Sequence, residues 1–425
     1  MQAEHGFHAF FRQYYNLRRL LAHVGVASRL RAIDDYLIVG EDGARYSFRH
    51  VATTPGMNLV SLAWNGVYRL GPVVLGGAGS RMESFLRYER DATFAEYDET
   101  SFDAWAKAAM LPRSLSLLFT TFARAFFADR ERMSMAELIK GFHFYYLSND
   151  CGLLYDHLTV DHEPGLIAPL RERLEQHGAR IELATPVRSL EKTGAGFEIH
   201  GRFFDDVVLA TSVPGTRAIV SGARSLAQSE LARRVETLKT GQRYAILRLW
   251  LDREVGTDWP VFVITERRRL LDAVAFVHRA QSTAGAWAEE RSGAVVELHC
   301  YAVPDALADD TLRAALMRDL AHFRPGIAQA RILGENLELG RDMTAFHTGL
   351  FPNRPEVDNG VEGLYLAGDW VKLPYPAMLM EAACMSGLLS ANAILRRHGL
   401  REEPVYTVPL RGLLAQRPRV QRGAS

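Results

Sequence analysis

Residues 360–395 read GVEGLYLAGDWVKLPYPAMLMEAACMSGLLSANAIL, and this stretch decides the fold. Gly363 to Ala367 is a short apolar run, the pattern of a strand buried on both faces. Gly368-Asp369 follows at its carboxyl end, where ligands bind in open α/β sheets. Pro374 and Pro376 punctuate the next loop, and from about Met378 the pattern turns helical. A glycine before the aspartate lets a ligand lie against bare backbone. The Asp369 carboxylate can accept hydrogen bonds from sugar-like hydroxyls. The unpaired N–H groups of the helix start suit an anionic group or a reduced ring. The plainer alternative is a core strand and helix with an ordinary surface aspartate.

LYLAGDW followed by MEAACMSGLLSANAIL resembles the C-terminal flavin signature of the amine oxidase and phytoene desaturase superfamily. The resemblance implies FAD as cofactor. It implies that Gly368 and Asp369 hold the ribityl–phosphate part, and that Met378, Leu379 and Met380 enter the helix against the isoalloxazine ring. Ala382 stands where the family often has glycine. Near the other end, EHGFHAFFRQYYNLRRLLAHVG (residues 4–25) is similar to the carotene desaturases, particularly the zeta-carotene desaturase and ring-aromatising isorenieratene synthase type, and so is LRLWLDR at 247–253.

The family opens with a strand, a GxGxxG turn and a helix that grip the FAD pyrophosphate. Here Met1 stands almost directly before the later motif. The nearest substitute, Val73 to Met82, lacks the third glycine and reads as a loop. The expectation is a desaturase without its first βαβ unit, through a start codon placed too late, a piece on another chain, or a degenerate copy.

The 425 residues allow two or three domains, and the 48% apolar share is ordinary for a full core. A formal net charge of +0 gives no case for a nucleic-acid binder. Three widely spaced cysteines, Cys151, Cys300 and Cys384, give neither a disulfide framework nor a metal motif. With no signal peptide and no apolar run of membrane-spanning length, the expected location is cytoplasmic. A peripheral contact with the inner face of the membrane is a further expectation.

In chain order, residues 4–25 read as a helix ending at Gly25. Asp35 to His50 read as a hairpin turning at Glu41-Asp42-Gly43. Residues 103–150 read as helices, with Leu115, Leu118, Phe119, Phe122 and Phe126 on one apolar stripe. That stripe is plain core, a membrane-dipping face, or the wall of a lipid tunnel. Residues 161–178 read as a turn and an amphipathic helix, followed by strands at Arg180–Leu183 and Val207–Thr211. This order resembles the family's second FAD segment, which implies that Val187 contacts the adenine through its backbone. Tyr244–Arg253 and Val295–Tyr301 read as neighbouring strands. His299-Cys300 is assigned to core packing, since adjacent strand residues point to opposite faces. The tail after Pro404 reads as a disordered, arginine-rich end or as a weak anchor on anionic lipid.

The expected architecture is mixed α/β. A doubly wound FAD-binding domain is assembled from discontinuous segments and joined to a substrate domain with a mixed or antiparallel sheet and helices. The FAD part takes 1–25 as an edge segment, then 156–222 and 336–398. The substrate part takes 26–155 and 223–335, and 399–425 is tail.

No Ser-His-Asp, paired-carboxylate or zinc pattern stands out, which agrees with a cofactor carrying the chemistry. By resemblance, the reaction is hydride transfer from a hydrophobic isoprenoid, a carotenoid above all, to flavin, followed by proton loss. Candidates for the base are His5, His8 and Glu381. An amine substrate is the alternative, with Trp370 and Tyr375 as aromatic walls. A truncated, non-catalytic protein binding a hydrophobic ligand is another.

Overall fold

The computed structural model describes residues 6–68 and 78–415. In chain order the first strands are β1 (Phe10–Phe11), β2 (Leu30–Ala32), β3 (Leu37–Val39), β4 (Arg45–Ser47) and β5 (Tyr155–Leu158). Then come β6 (Glu191–Thr193), β7 (Gly196–Ile199), β8 (Arg202–Phe204), β9 (Val207–Leu209) and β10 (Arg243–Leu251). The last five are β11 (Phe262–Thr265), β12 (Ala273–Phe276), β13 (Ala294–Val303), β14 (Ile332–Gly340) and β15 (Leu364–Leu366). Among the helices are α1 (Tyr15–His23), α2 (Arg113–Arg124), α3 (Ala168–Gln176) and α4 (Leu379–Arg397).

The largest sheet has seven strands in the order β14-β10-β13-β12-β11-β3-β4, with β11 and β3 parallel and the other pairs antiparallel. The fold is therefore mixed α/β, as the sequence predicts. The predicted hairpin is β3–β4, closed by the Asp42 carboxylate accepting from Ala44 N and by Gly43 at φ +80°. The predicted neighbours are β10 and β13, paired with Leu247 opposite Leu298.

Alternation along these strands makes two unlike faces. Leu247, Leu249, Val296 and Leu298 pack with Leu312, Leu316 and Leu320 of the helix Asp309–Phe323. Each such side chain, fully buried, contributes about 1.5–3 kcal/mol. The other face carries Tyr244, Ile246 and Arg248 on β10, and Glu297, His299 and Tyr301 on β13. It looks towards helices rich in aromatic side chains.

β9 and β15 form a two-stranded parallel sheet, with Leu364 opposite Val207. Leu364 and Leu366 are fully buried beneath α4 and the helix Val213–Gly222. Among the described residues no third strand joins this pair. Val208 of β9 is exposed.

Four expectations are corrected. Residues 4–25 are not one helix: Phe10–Phe11 pair with Asp156 and Tyr155 of β5, and α1 begins at Tyr15. Arg180–Leu183 forms no strand, and residues 179–186 lie exposed, because none of the described residues offers them a partner edge. The Val73–Met82 stretch is not all loop: 73–77 lie outside the described residues, and a helix runs over Ala78–Leu86. The tail is ordered to residue 415. Gly412 N donates to Tyr88 O (2.8 Å), Leu414 N to Leu86 O (2.9 Å), and Val408 is buried.

Candidate active site

The strand–turn–helix of residues 364–397 delivers its turn to the edge of a cavity of about 460 Å³. Gly368 has φ +145°, and a Cβ there would lie 2.4 Å from Trp370 Nε1, so no other residue fits unmoved. The turn is tied down twice: Gly368 N donates to Ser386 Oγ of α4 (2.8 Å), and Trp370 Nε1 donates to Thr211 O beyond β9 (3.0 Å). Asp369 is thereby aimed into the cavity wall. Its carboxylate accepts from Thr344 Oγ1 at 2.5 Å, and burial pushes its carboxyl above the usual carboxylate range.

Helix α4 starts at the same wall. Leu379 and Met380 line the cavity. Leu379 has φ +50°, a costly conformation for a branched residue, which the surrounding packing holds in place. Arg267 is a second wall residue with positive φ, +56°. The rest of the lining is mostly aromatic. Phe11, Tyr14, Phe122, Phe126, Tyr145 and Tyr155 are among its rings. Tyr14 and Tyr145 share a hydroxyl–hydroxyl hydrogen bond of 2.7 Å, and burial raises both phenols. The apolar stripe of α2 is divided: Leu118 and Phe122 face the cavity, as does Phe126 just beyond, while Leu115 and Phe119 pack in the core.

The structure brings Asp369, Leu379, Met380 and His8 to one cavity. Gly368 lies directly behind Asp369, and Met378 is buried in the adjoining core. Val187 lies away from the cavity, half-buried against the β9–β15 cluster. His5 is outside the described residues. His8 Nδ1 donates to Gly6 O at 3.1 Å, and its ring packs edge-on against His162. Glu381 is turned from the cavity to the start of α1: Oε1 accepts from Asn16 N (3.0 Å) and Asn16 Nδ2 (2.6 Å), and Oε2 from Leu17 N (3.0 Å). Those are first-turn donors without partners inside their own helix. Burial raises the Glu381 carboxyl against their pull.

Sequence reasoning missed Glu297, His299 and Tyr301. Their spacing at i, i+2 and i+4 on a strand, three polar side chains on one face, is the signal that could have found them. Arg267 left no such signal.

A flavin ring fits the near end of this site. The bare backbone of Gly368, the buried Asp369 carboxylate with a hydroxyl partner, and the first N–H groups of α4 converge on one wall. Among the described residues β9–β15 remains a sheet of two strands, and residues 179–186 lie exposed.

The sequence profile described as flavin containing amine oxidoreductase matches residues 2–395. A carotenoid phi-ring synthase of Streptomyces griseus is 33% identical over 421 residues, covering 96% of this chain and 80% of that protein. A 15-cis-phytoene desaturase of Solanum lycopersicum is 22% identical over 433 residues, covering 93% and 70%. Among solved structures, a putrescine oxidase superposes with TM-score 0.65 at 10% identity over 92% of this chain and 88% of its own. Cyclohexylamine oxidase from Brevibacterium oxydans gives 0.63 at 12% over 93% and 87%. At such identities the two structures speak for the fold alone.

Proposed function

We propose a carotenoid-modifying activity for this chain, which belongs to the family of flavin-containing amine oxidoreductases and takes FAD as cofactor. The observation that carries the substrate reading is the cavity: about 460 Å³, walled mainly by aromatic rings and running to Asp369, Leu379 and Met380. That volume lies within the usual small-molecule range of about 300–1,000 Å³. The similarity to a carotenoid phi-ring synthase and to phytoene desaturases adds to it. The substrate is a carotenoid end group, desaturated and, when cyclised, taken towards an aromatic ring.

Gly368 and Asp369 would hold the ribityl–phosphate part of FAD, with Met378, Leu379 and Met380 at the ring. When bound, FAD supplies the acceptor for a hydride from an allylic C–H. The protein's own residues do the rest. The faces of Tyr14, Phe122, Phe126 and Tyr145 exclude water and favour the allylic cation that hydride loss leaves behind, through their ring quadrupoles. The start of α4 would favour negative charge on that acceptor.

An amine substrate loses its observation here, since neither Trp370 nor Tyr375 lines the cavity, and Trp370 is locked to Thr211. Contact with a bilayer surface is part of the proposal. On the helix Met57–Trp64, Met57, Val60 and Trp64 are exposed at helical spacing on one face. No helix among the described residues is long and apolar enough to cross a membrane.

The test is to purify the protein, record its visible spectrum, and incubate it with a carotenoid bearing cyclised ends in anionic vesicles. The expected result is a flavin band and a product lighter by two hydrogens per step, with altered polyene absorption. A flavin-loaded protein that returns the carotenoid unchanged overturns the substrate reading. A folded, colourless protein that cannot be loaded favours the non-catalytic alternative.

A further inference from the structure

We infer that Glu297, His299 and Tyr301 form a proton relay on the cavity wall, which takes up the proton lost after hydride removal. The inference rests on the carotenoid reading above and deepens it.

The three side chains share one face of β13 and are joined in series. Arg248, directly opposite Glu297 on β10, donates to Glu297 Oε1 from Nε (2.9 Å) and Nη2 (2.6 Å). Glu297 Oε2 meets His299 Nε2 at 3.1 Å, and His299 Nδ1 meets the Tyr301 hydroxyl at 3.2 Å. Glu297 is fully buried and away from the cavity lining, whereas His299 and Tyr301 both line it. Burial alone would raise the Glu297 carboxyl, but His299 and Arg248 outweigh it and hold the group low, as a carboxylate.

A carboxylate accepts only, so His299 Nε2 carries the hydrogen and donates to Glu297. In the neutral imidazole Nδ1 is then the acceptor, and Tyr301, whose phenol burial keeps protonated, donates to it. The oxygen lone pair of Tyr301 remains for the cavity. Without this chain of partners, a buried carboxylate and imidazole in an apolar wall would be costly. The chain has the arrangement of a base, its orienter and its anchor.

The step balances without any further oxidant. A C–H bond beside the cationic carbon breaks, and its electron pair becomes the new C=C bond. The proton bonds to Tyr301 Oη as the Tyr301 proton passes to His299 Nδ1. The imidazolium so formed pairs with the Glu297 carboxylate until it loses its proton to solvent. His299 and Tyr301 are the catalytic residues, and Glu297 and Arg248 are positioning residues.

The test uses His299→Gln, Tyr301→Phe and Glu297→Gln in the full protein, with three readouts. Carotenoid binding is followed by quenching of tryptophan fluorescence. Turnover is measured on flavin-loaded protein. The spectrum of ¹⁵N-histidine-labelled protein is recorded without flavin. Expected are binding within about threefold of the parent throughout, and turnover down about a hundredfold in His299→Gln, the scale of general-base catalysis. Turnover should fall at least about tenfold in Tyr301→Phe. The His299 resonances should show a protonated Nε2 and a bare Nδ1 that shifts in Tyr301→Phe. Parent-like turnover in Tyr301→Phe, or a hydrogen on Nδ1, overturns the relay, even should His299→Gln fail to fold. A parent protein that neither binds nor converts a carotenoid overturns the substrate reading instead.

Discussion

Glu381 separates a structural carboxylate from a catalytic one, and two substitutions decide between them. Its carboxylate is 1% exposed and takes three hydrogen bonds from Asn16 and Leu17 at the start of α1. Glu381→Ala leaves two backbone donors unpartnered inside the protein, at about 1–3 kcal/mol each, and also loses the Asn16 amide contact. Release of the buried charge offsets part of this. The net loss comes to about 3–5 kcal/mol, a large part of the total of about 5–15 kcal/mol for a folded domain. At about 2 °C per kcal/mol for a large chain, melting should drop by about 6–10 °C. Glu381→Gln keeps one acceptor and should cost about 1–2 kcal/mol, or about 2–4 °C. The assay is thermal melting followed by circular dichroism, beside turnover at a temperature where both variants are folded. A structural Glu381 requires Glu381→Gln to melt early yet keep turnover within about tenfold, because α1 only holds the Tyr14 wall in place. A Gln variant that melts with the parent but loses turnover entirely would refute it and return Glu381 to the candidate bases.

Asp369→Ala should weaken flavin retention at least about tenfold, the worth of one charge-assisted hydrogen bond; full flavin content after gel filtration would remove Asp369 from the site. Gly368→Ala drives a methyl into the Trp370 indole and should cost about 1–3 kcal/mol, read as lowered melting; an unchanged melt would contradict the turn geometry. Burial lifts the Asp98 carboxyl to about 6, so the native state holds that proton more tightly than the unfolded chain does. Stability should therefore fall as pH rises from about 4 to about 6, by about 1–3 kcal/mol. In Asp98→Asn that slope should flatten in urea titrations at several pH values, and a slope as steep as the parent's would count against it.

The strand–turn–helix at 364–397 was legible because local pattern and tertiary role agree there: an apolar run, a glycine where no Cβ fits, and a helix of small residues. The hairpin and the β10–β13 pair were legible by the same alternation. Arg180–Leu183 was misread because alternation reports the wish for a partner strand, and pairing needs a partner in reach. The tail was misread because its holds are made by backbone to Tyr88 and Leu86, which composition does not reveal. Glu297 and His299 were hidden by being read one at a time. A lone histidine on a strand is ordinary, and only the series with Tyr301, closed by Arg248 from the next strand, gives it chemistry. Glu381 was drawn to the cavity by its place in the motif, whereas the helix turn points it at α1.

The exposed run from residue 174 to residue 186 joins two parts that are interleaved elsewhere. The seven-stranded sheet draws β3 and β4 from before this run and β10 to β14 from after it, and Leu37 pairs with Val263 across the divide. A protease that cuts near Arg180 would therefore sever the polypeptide without releasing either piece. By the same topology, the two pieces could be expressed separately and would have to find each other through that sheet, so that the enzyme could be reconstituted, or switched off, at a seam far from its chemistry.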